Sequence, residues 1–244
     1  MNIINFKGKI RRILQLLFTL VCFGDLKLLF YLLRVGELGK LTSFIESNFL
    51  YRCARDGYGN GSIVEIGSFK GRTTICLALG SKLKGREKIY AVDPLIDPQI
   101  RQQFTENIKK AKVDDYVIPL FKKSEEAISD FTAPTRLLFI DGCHEYEEVK
   151  KDILLWKKHL IEGGIIAMHD YLPENYPNFL AGVNKAVNEC IINSDEFIVE
   201  GCIDSILFAS KKRSKNKHLF EHANKINKLR AYLKSKLDKT LLRY

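Results

Sequence analysis

No Cys-x-x-Cys pair occurs in this 244-residue chain, and its cysteines (Cys22, Cys53, Cys76, Cys143, Cys190 and Cys202) are scattered, several of them inside apolar runs. That pattern excludes a zinc knuckle and a disulfide scaffold and fits a reducing, cytoplasmic setting. No apolar run reaches the roughly 18 residues that a membrane-spanning helix needs. Lys7, Lys9, Arg11 and Arg12 precede Ile13–Phe23 in the manner of a signal peptide, but no small-residue cleavage site follows, and Gly24, Asp25 and Lys27 interrupt the apolar stretch. No strand-like run ends in G-x-G-x-x-G or G-K-S/T, which disfavours a dinucleotide fingerprint and a P-loop. There is no internal repeat. An excess of charge is also missing from most of the chain. Residues 1–210 hold 27 basic and 27 acidic side chains, so the main body offers no electrostatic reason to bind nucleic acid.

What is present is organised in three parts. Residues 1–58 are read as a helical extension, with a short helix over Leu41–Phe49 that starts near Thr42 or Ser43. This extension is expected to lie on the domain, in a homo-oligomer interface or peripherally on a membrane. The tail 211–244 has 12 basic residues against Glu221 and Asp238, which accounts for the whole net charge of +10. In it Ile226, Leu229, Leu233 and Leu237 recur at helical spacing. This is a basic amphipathic helix that suits packing on the domain or contact with an anionic membrane.

Between these parts, residues 59–210 alternate strand and helix. Strands are expected at Ser62–Ile66, Lys88–Val92, 116–120, Arg136–Ile140 and Gly164–Met168. The helices between and after them are 71–81, 98–110, Ser124–Ile128, Tyr146–His159 and 179–192. A closing pair of strands, Phe197–Glu200 and Ser205–Ala209, flanks a turn near Gly201–Asp204. Repeated alternation implies an α/β fold with a mostly parallel sheet covered by helices on both faces, finished by an antiparallel strand.

Polar residues collect where these strands end, and such ends form the binding crevice of open α/β sheets. Glu65, Gly67 and Gly71 form E-x-G-x-x-x-G at a strand-to-helix junction, where a tight turn and free helix N–H groups leave room for a ligand. Asp93 ends the next strand and suits the two hydroxyls of a ribose. Asp141 and His144 follow the fourth strand, and His169 and Asp170 follow the fifth.

These residues resemble the class I S-adenosylmethionine-dependent methyltransferases over about residues 60–210. The motifs I-D-G-x-H-x-Y-x-x-V (Ile140 to Val149) and L-x-x-G-G-x-I-x-x-H-D-Y (Leu160 to Tyr171) are similar to the group that includes macrolide-sugar O-methyltransferases and cephalosporin hydroxylase-like proteins. The resemblance implies a Rossmann-like, seven-stranded sheet with an antiparallel last strand. It assigns S-adenosylmethionine to Glu65, Gly67, Ser68, Gly71, Asp93, Ser124 and Asp141. It implies Mg²⁺, or another divalent ion, on Asp141, His169 and Asp170, although carboxylates suit magnesium better than the His169 imidazole does. It offers His144 as catalytic base beside Asp141, or as a group that orients Asp141. The expected substrate is a small-molecule hydroxyl, on a sugar or glycoside. Two other readings stand beside it. One is a cephalosporin hydroxylase-like oxygenase using His144, His169 and an acid on iron. The other is a non-catalytic, membrane-associated glycan-assembly protein.

Overall fold

The computed structural model describes Leu28, residues 42–171 and residues 181–236, with side chains as far as Ala231. Apart from Leu28, the apolar segments 13–23 and 26–35 fall outside the described residues, as do Leu237 and the side chain of Leu233. Among the described residues no helix is long and apolar enough to cross a membrane.

Helix α1 (Phe44–Asp56) begins where Ser43-x-x-Glu46 makes a capping box. The Glu46 N–H donates to Ser43 Oγ at 3.1 Å, and the Ser43 N–H donates to Glu46 Oε2 at 2.7 Å. The helix runs past the expected end at Phe49 because Leu50, Cys53 and Ala54 continue its buried face as far as Gly57.

The sheet comprises β1 (Ser62–Ile66), β2 (Ile89–Val92), β3 (Val117–Leu120), β4 (Thr135–Ile140), β5 (Leu160–Met168), β6 (Phe197–Ile203) and β7 (Ile206–Lys211). Its order is β3-β2-β1-β4-β5-β7-β6. Strands β1 to β5 pair in parallel, while β7 lies antiparallel to both β5 and β6. Helices α2 (Arg72–Leu83), α3 (Pro98–Lys110), α4 (Ser124–Ala127), α5 (Tyr146–Trp156) and α6 (Ala181–Val187) alternate with the strands, and α7 (Lys217–Lys236) follows β7.

Two apolar layers cover the sheet, and β4 shows the division. Leu137 and Phe139 enter one layer with Phe49, Ile75 and Phe208, whereas Leu138 and Ile140 enter the other with Val149, Trp156 and Val183. Alternate side chains facing two helical layers is the pattern of a sheet buried on both faces.

Three local expectations change. Strand β5 starts at Leu160, four residues before the expected start, and Gly163 at φ +76° sits in the irregular stretch where its pairing with β4 shifts register, from Thr135↔Leu160 to Leu137↔Ile165. Helix α5 ends at Trp156 rather than His159. Gly201 is not in the final turn. It lies within β6 at φ +148°, beside a register shift between Val199 and Gly201, so its freedom serves a bulge.

The ends of the described chain are integral to the fold. Leu219, Phe220, Ala223 and Ile226 of α7 join the same layer as Phe49, and Phe220 stacks on Phe208 with ring centroids 5.0 Å apart. The described apolar face of the basic tail is therefore turned inward. Arg136, fully buried in β4, ties α1 down. Its guanidinium donates to the carbonyls of Cys53 (2.9 Å) and Ala54 and pairs with Glu87.

Candidate active site at the switch point of the sheet

Strand order reverses between β1 and β4, so their carboxyl ends frame a crevice. A cleft of about 740 Å³ opens there. Gly67, Ser68, Asp93, Ser124, Asp141, His144, His169 and Asp170 all line it.

One half of the cleft, where the sequence reading expects the methyl donor, is built from the turn after β1. Gly67 has φ +89°, and a Cβ there would lie 2.0 Å from the Asp141 carbonyl oxygen, so both the conformation and the space require glycine. The turn is held by Asp93, whose Oδ2 accepts from the Ser68 N–H (2.9 Å) and the Phe69 N–H (2.8 Å) and whose Oδ1 accepts from the Leu95 N–H (3.0 Å). A carboxylate has acceptor sites left after three such bonds. Gly71, at φ +84°, caps α2 and does not line the cleft.

Glu65 does not line the cleft either. It is fully buried beneath the turn and accepts a hydrogen bond from Thr74 Oγ1. Burial pushes its pKa up to about 7 despite hydrogen bonds from Thr73 and Thr74, and the Asp141 charge adds to the rise. Ser124, at the start of α4, donates to Asp152, a residue that sequence reasoning did not single out. Burial raises the Asp152 pKa to about 6, although that bond pulls the other way.

The other half, where the sequence reading expects the acceptor, comes from the ends of β4 and β5. The Asp141 N–H donates to the Ile66 carbonyl (2.8 Å) and the His169 N–H to the Ile140 carbonyl (3.0 Å), so ladder bonds fix both backbones. Asp141, His144 and Asp170 each bring one ligand atom within 4.8 Å of the other two. His144 Nε2 lies 3.0 Å from Asp170 Oδ2. Asp170 holds a left-handed backbone, φ +59°, a conformation that costs of the order of 1–3 kcal/mol and collects at functional sites.

His169 stands behind this triad. Its Nδ1 faces Asp141 Oδ1 at 3.1 Å and Asp170 Oδ2 at 3.2 Å, and its Nε2 faces Glu46 Oε2 at 3.7 Å. Burial alone would lower its pKa, but the three carboxylates around it raise it to about 12. Burial raises Asp141, and the neighbouring Asp170 charge adds to the rise against the pull of His169. Asp141 and Asp170 bring two carboxylates, and His144 one imidazole, to a common point where a divalent cation could be held. The donor set of two carboxylates and an imidazole therefore fits such an ion. The set of two imidazoles and an acid that an iron oxygenase would use is not the one that converges among the described residues.

Glu46 went unnoticed in the sequence as a site residue. Its capping-box spacing was visible, but nothing local links it to His169. Tyr146 and Tyr171 reach Glu189 (2.5 Å) and Asn188 (3.1 Å), which ties both to the turn that ends α6.

Residues 64–171 match the family model described as a methyltransferase domain. An uncharacterized protein of Acanthamoeba polyphaga mimivirus is 28% identical over 138 residues, 51% of this chain, and the chain spans only 58% of that relative's length. Among solved structures, a cofactor-bound protein from MTB is 18% identical with a TM-score of 0.64, covering 82% of this chain and 96% of that one. An O-methyltransferase from Bacillus cereus in complex with SAH is 18% identical with a TM-score of 0.58, over 77% and 91%. The O-methyltransferase TomG of Streptomyces achromogenes, in complex with SAM, is 16% identical with a TM-score of 0.57, over 74% and 86%. At such identity the likeness to solved structures is one of fold. Residues 64–171 thus match a methyltransferase-domain model, and the sheet that carries the turn at Gly67 shares its fold with these solved structures.

Proposed function

We propose that the chain is an S-adenosylmethionine-dependent O-methyltransferase that uses a divalent cation, magnesium first, and methylates a hydroxyl of a small molecule, a sugar or glycoside. One observation carries the reading. The glycine turn braced by Asp93 and the triad Asp141, His144 and Asp170 open into the same cleft.

The sulfonium cofactor supplies an activated methyl group, and a divalent ion supplies charge that lowers the pKa of a nearby hydroxyl. The remaining work falls to the chain. Gly67 keeps the cleft clear beside Asp141, and Asp93 offers acceptor positions to ribose hydroxyls. Asp141 and Asp170 would hold the ion, with His144 serving as the base rather than as a third ligand. His144 takes the proton of the acceptor hydroxyl, and the imidazolium so formed is paired with Asp170 at 3.0 Å. Holding acceptor and donor in line supplies most of the remaining acceleration. The sugar class rests on the resemblance of the two strand-end motifs.

Calorimetry with S-adenosylhomocysteine, followed by methyl transfer to a panel of glycosides with and without a chelator, tests the proposal. Absence of cofactor binding refutes it entirely, while activity indifferent to the chelator refutes the metal. His144→Ala should lower kcat by about 10²-fold or more and leave divalent-ion affinity in place. A matching loss of affinity would make His144 a ligand rather than the base.

A further inference from the structure

Glu46 lies outside residues 64–171, the span that matches the methyltransferase family model, yet its carboxylate is buried against the acceptor half of the site. Each of its oxygens has a local task. Oε1 accepts from the Ser205 N–H (2.9 Å) and Ser205 Oγ (2.7 Å), and Oε2 closes the capping box on the Ser43 N–H (2.7 Å). Those bonds begin α1 and tie it to the β6–β7 turn, and a neutral glutamine, with a single acceptor oxygen, would keep one end of this set and lose the other.

The ring of His169 shows what the carboxylate adds. It is 5% exposed and stands edge-on to Phe139, with an interplanar angle of 88°. Carboxylates flank both of its nitrogens. Nε2 has Glu46 Oε2 at 3.7 Å and Ser205 Oγ at 3.4 Å, and Nδ1 has Asp141 Oδ1 and Asp170 Oδ2 at 3.1 and 3.2 Å. Because Nδ1 meets both acids, the orientation of the ring sets the distance between those two oxygens. Because Glu46 holds the opposite edge, it sets the orientation of the ring.

We propose that Glu46 is a positioning residue for the acceptor half of the site. Through His169 it fixes the spacing of Asp141 and Asp170, and with it their affinity for a divalent cation. This rests on the metal-dependent reading above. Groups behind metal ligands commonly contribute 10–100-fold to affinity or activity.

The test uses the full chain, with Mn²⁺ as the probe ion and S-adenosylhomocysteine as the probe of the donor half. Glu46→Gln should weaken Mn²⁺ by about 10–100-fold in calorimetry and broaden the bound-Mn²⁺ resonance. Its S-adenosylhomocysteine affinity should stay within about threefold of wild type, since Glu46 touches nothing on the Gly67–Asp93 side. Glu46→Asp keeps the charge and should recover part of the Mn²⁺ loss. Unchanged Mn²⁺ affinity in a folded Glu46→Gln variant would overturn the proposal while leaving the metal-dependent reading intact. A wild-type chain that binds S-adenosylhomocysteine but no Mn²⁺ would overturn both. If Glu46→Gln does not fold, Ser205→Ala decides. It loosens the grip on Oε1 and removes the hydroxyl facing Nε2, so a several-fold loss of Mn²⁺ is expected, and no loss refutes the role.

Discussion

Glu65 gives the fold a pH dependence that can be worked out in advance. In the unfolded chain its carboxyl has the ordinary value of 4.5, whereas in the folded chain burial raises it to about 7. Between those values the folded chain holds a proton that the unfolded chain has lost. Stability therefore falls as pH rises from about 4.5, and the loss is complete above about 7. A gap of two to three pKa units at 1.36 kcal/mol each amounts to about 3 kcal/mol. Glu65→Gln is neutral throughout and can still accept from Thr74. At pH 4.5 the two proteins should be nearly equal in stability, and at pH 8 the glutamine variant should be more stable by about 3 kcal/mol. Urea unfolding of both proteins at the two pH values measures this directly, and comparing them cancels every other titrating group. A stability difference that is the same at pH 4.5 and pH 8 would refute the reasoning. Ligand binding adds a second arm. If the cofactor's ammonium group lies near the turn, it favours the charged carboxylate, so saturating S-adenosylhomocysteine at pH 8 should stabilise wild type more than the variant.

Three further perturbations probe other parts. Gly67→Ala forces a Cβ against the Asp141 carbonyl at a left-handed backbone position. It should cost about 2–5 kcal/mol in denaturant unfolding and abolish S-adenosylhomocysteine binding in calorimetry. Asp93→Asn removes one charged acceptor from the turn, and should weaken S-adenosylhomocysteine by about 10-fold or more while leaving Mn²⁺ affinity unchanged. Phe220→Ala removes a ring buried against Phe208. It should lower stability by about 3–5 kcal/mol, whereas a freestanding tail helix would show no change in chemical denaturation.

The sheet was legible because each strand is short, apolar and bounded by Gly, Pro or Asp, and because the helices between strands carry their own periodicity. The crevice was legible because polar residues end β1, β2, β4 and β5, where the topology requires them to converge. Long-range packing was not legible. Glu46 reads locally as a capping residue, and only the tertiary fold brings it to His169. Arg136 looks like the polar entry to an apolar strand, yet it is buried where it can satisfy the last carbonyls of α1. Glu65 was placed with the cofactor by motif alone, whereas the fold puts it under the turn, where Thr74 in the first turn of α2 donates to it. The glycines of β5 and β6 misled the boundaries because the same residue serves a turn, a bulge and a close approach.

The stacking of Phe220 on Phe208, in the layer that also holds Phe49, has a consequence for biosynthesis. A nascent chain can pair β1 with β4 before its tail exists, but the part of that face over Phe208 of β7 stays open until Phe220 and Ile226 have left the ribosome. During that interval the apolar side of β7 is exposed to chaperones and to other nascent chains. Helix α7 is therefore the latch on α1, and ribosomal stalling between Lys211 and Ile226 would leave an aggregation-prone intermediate.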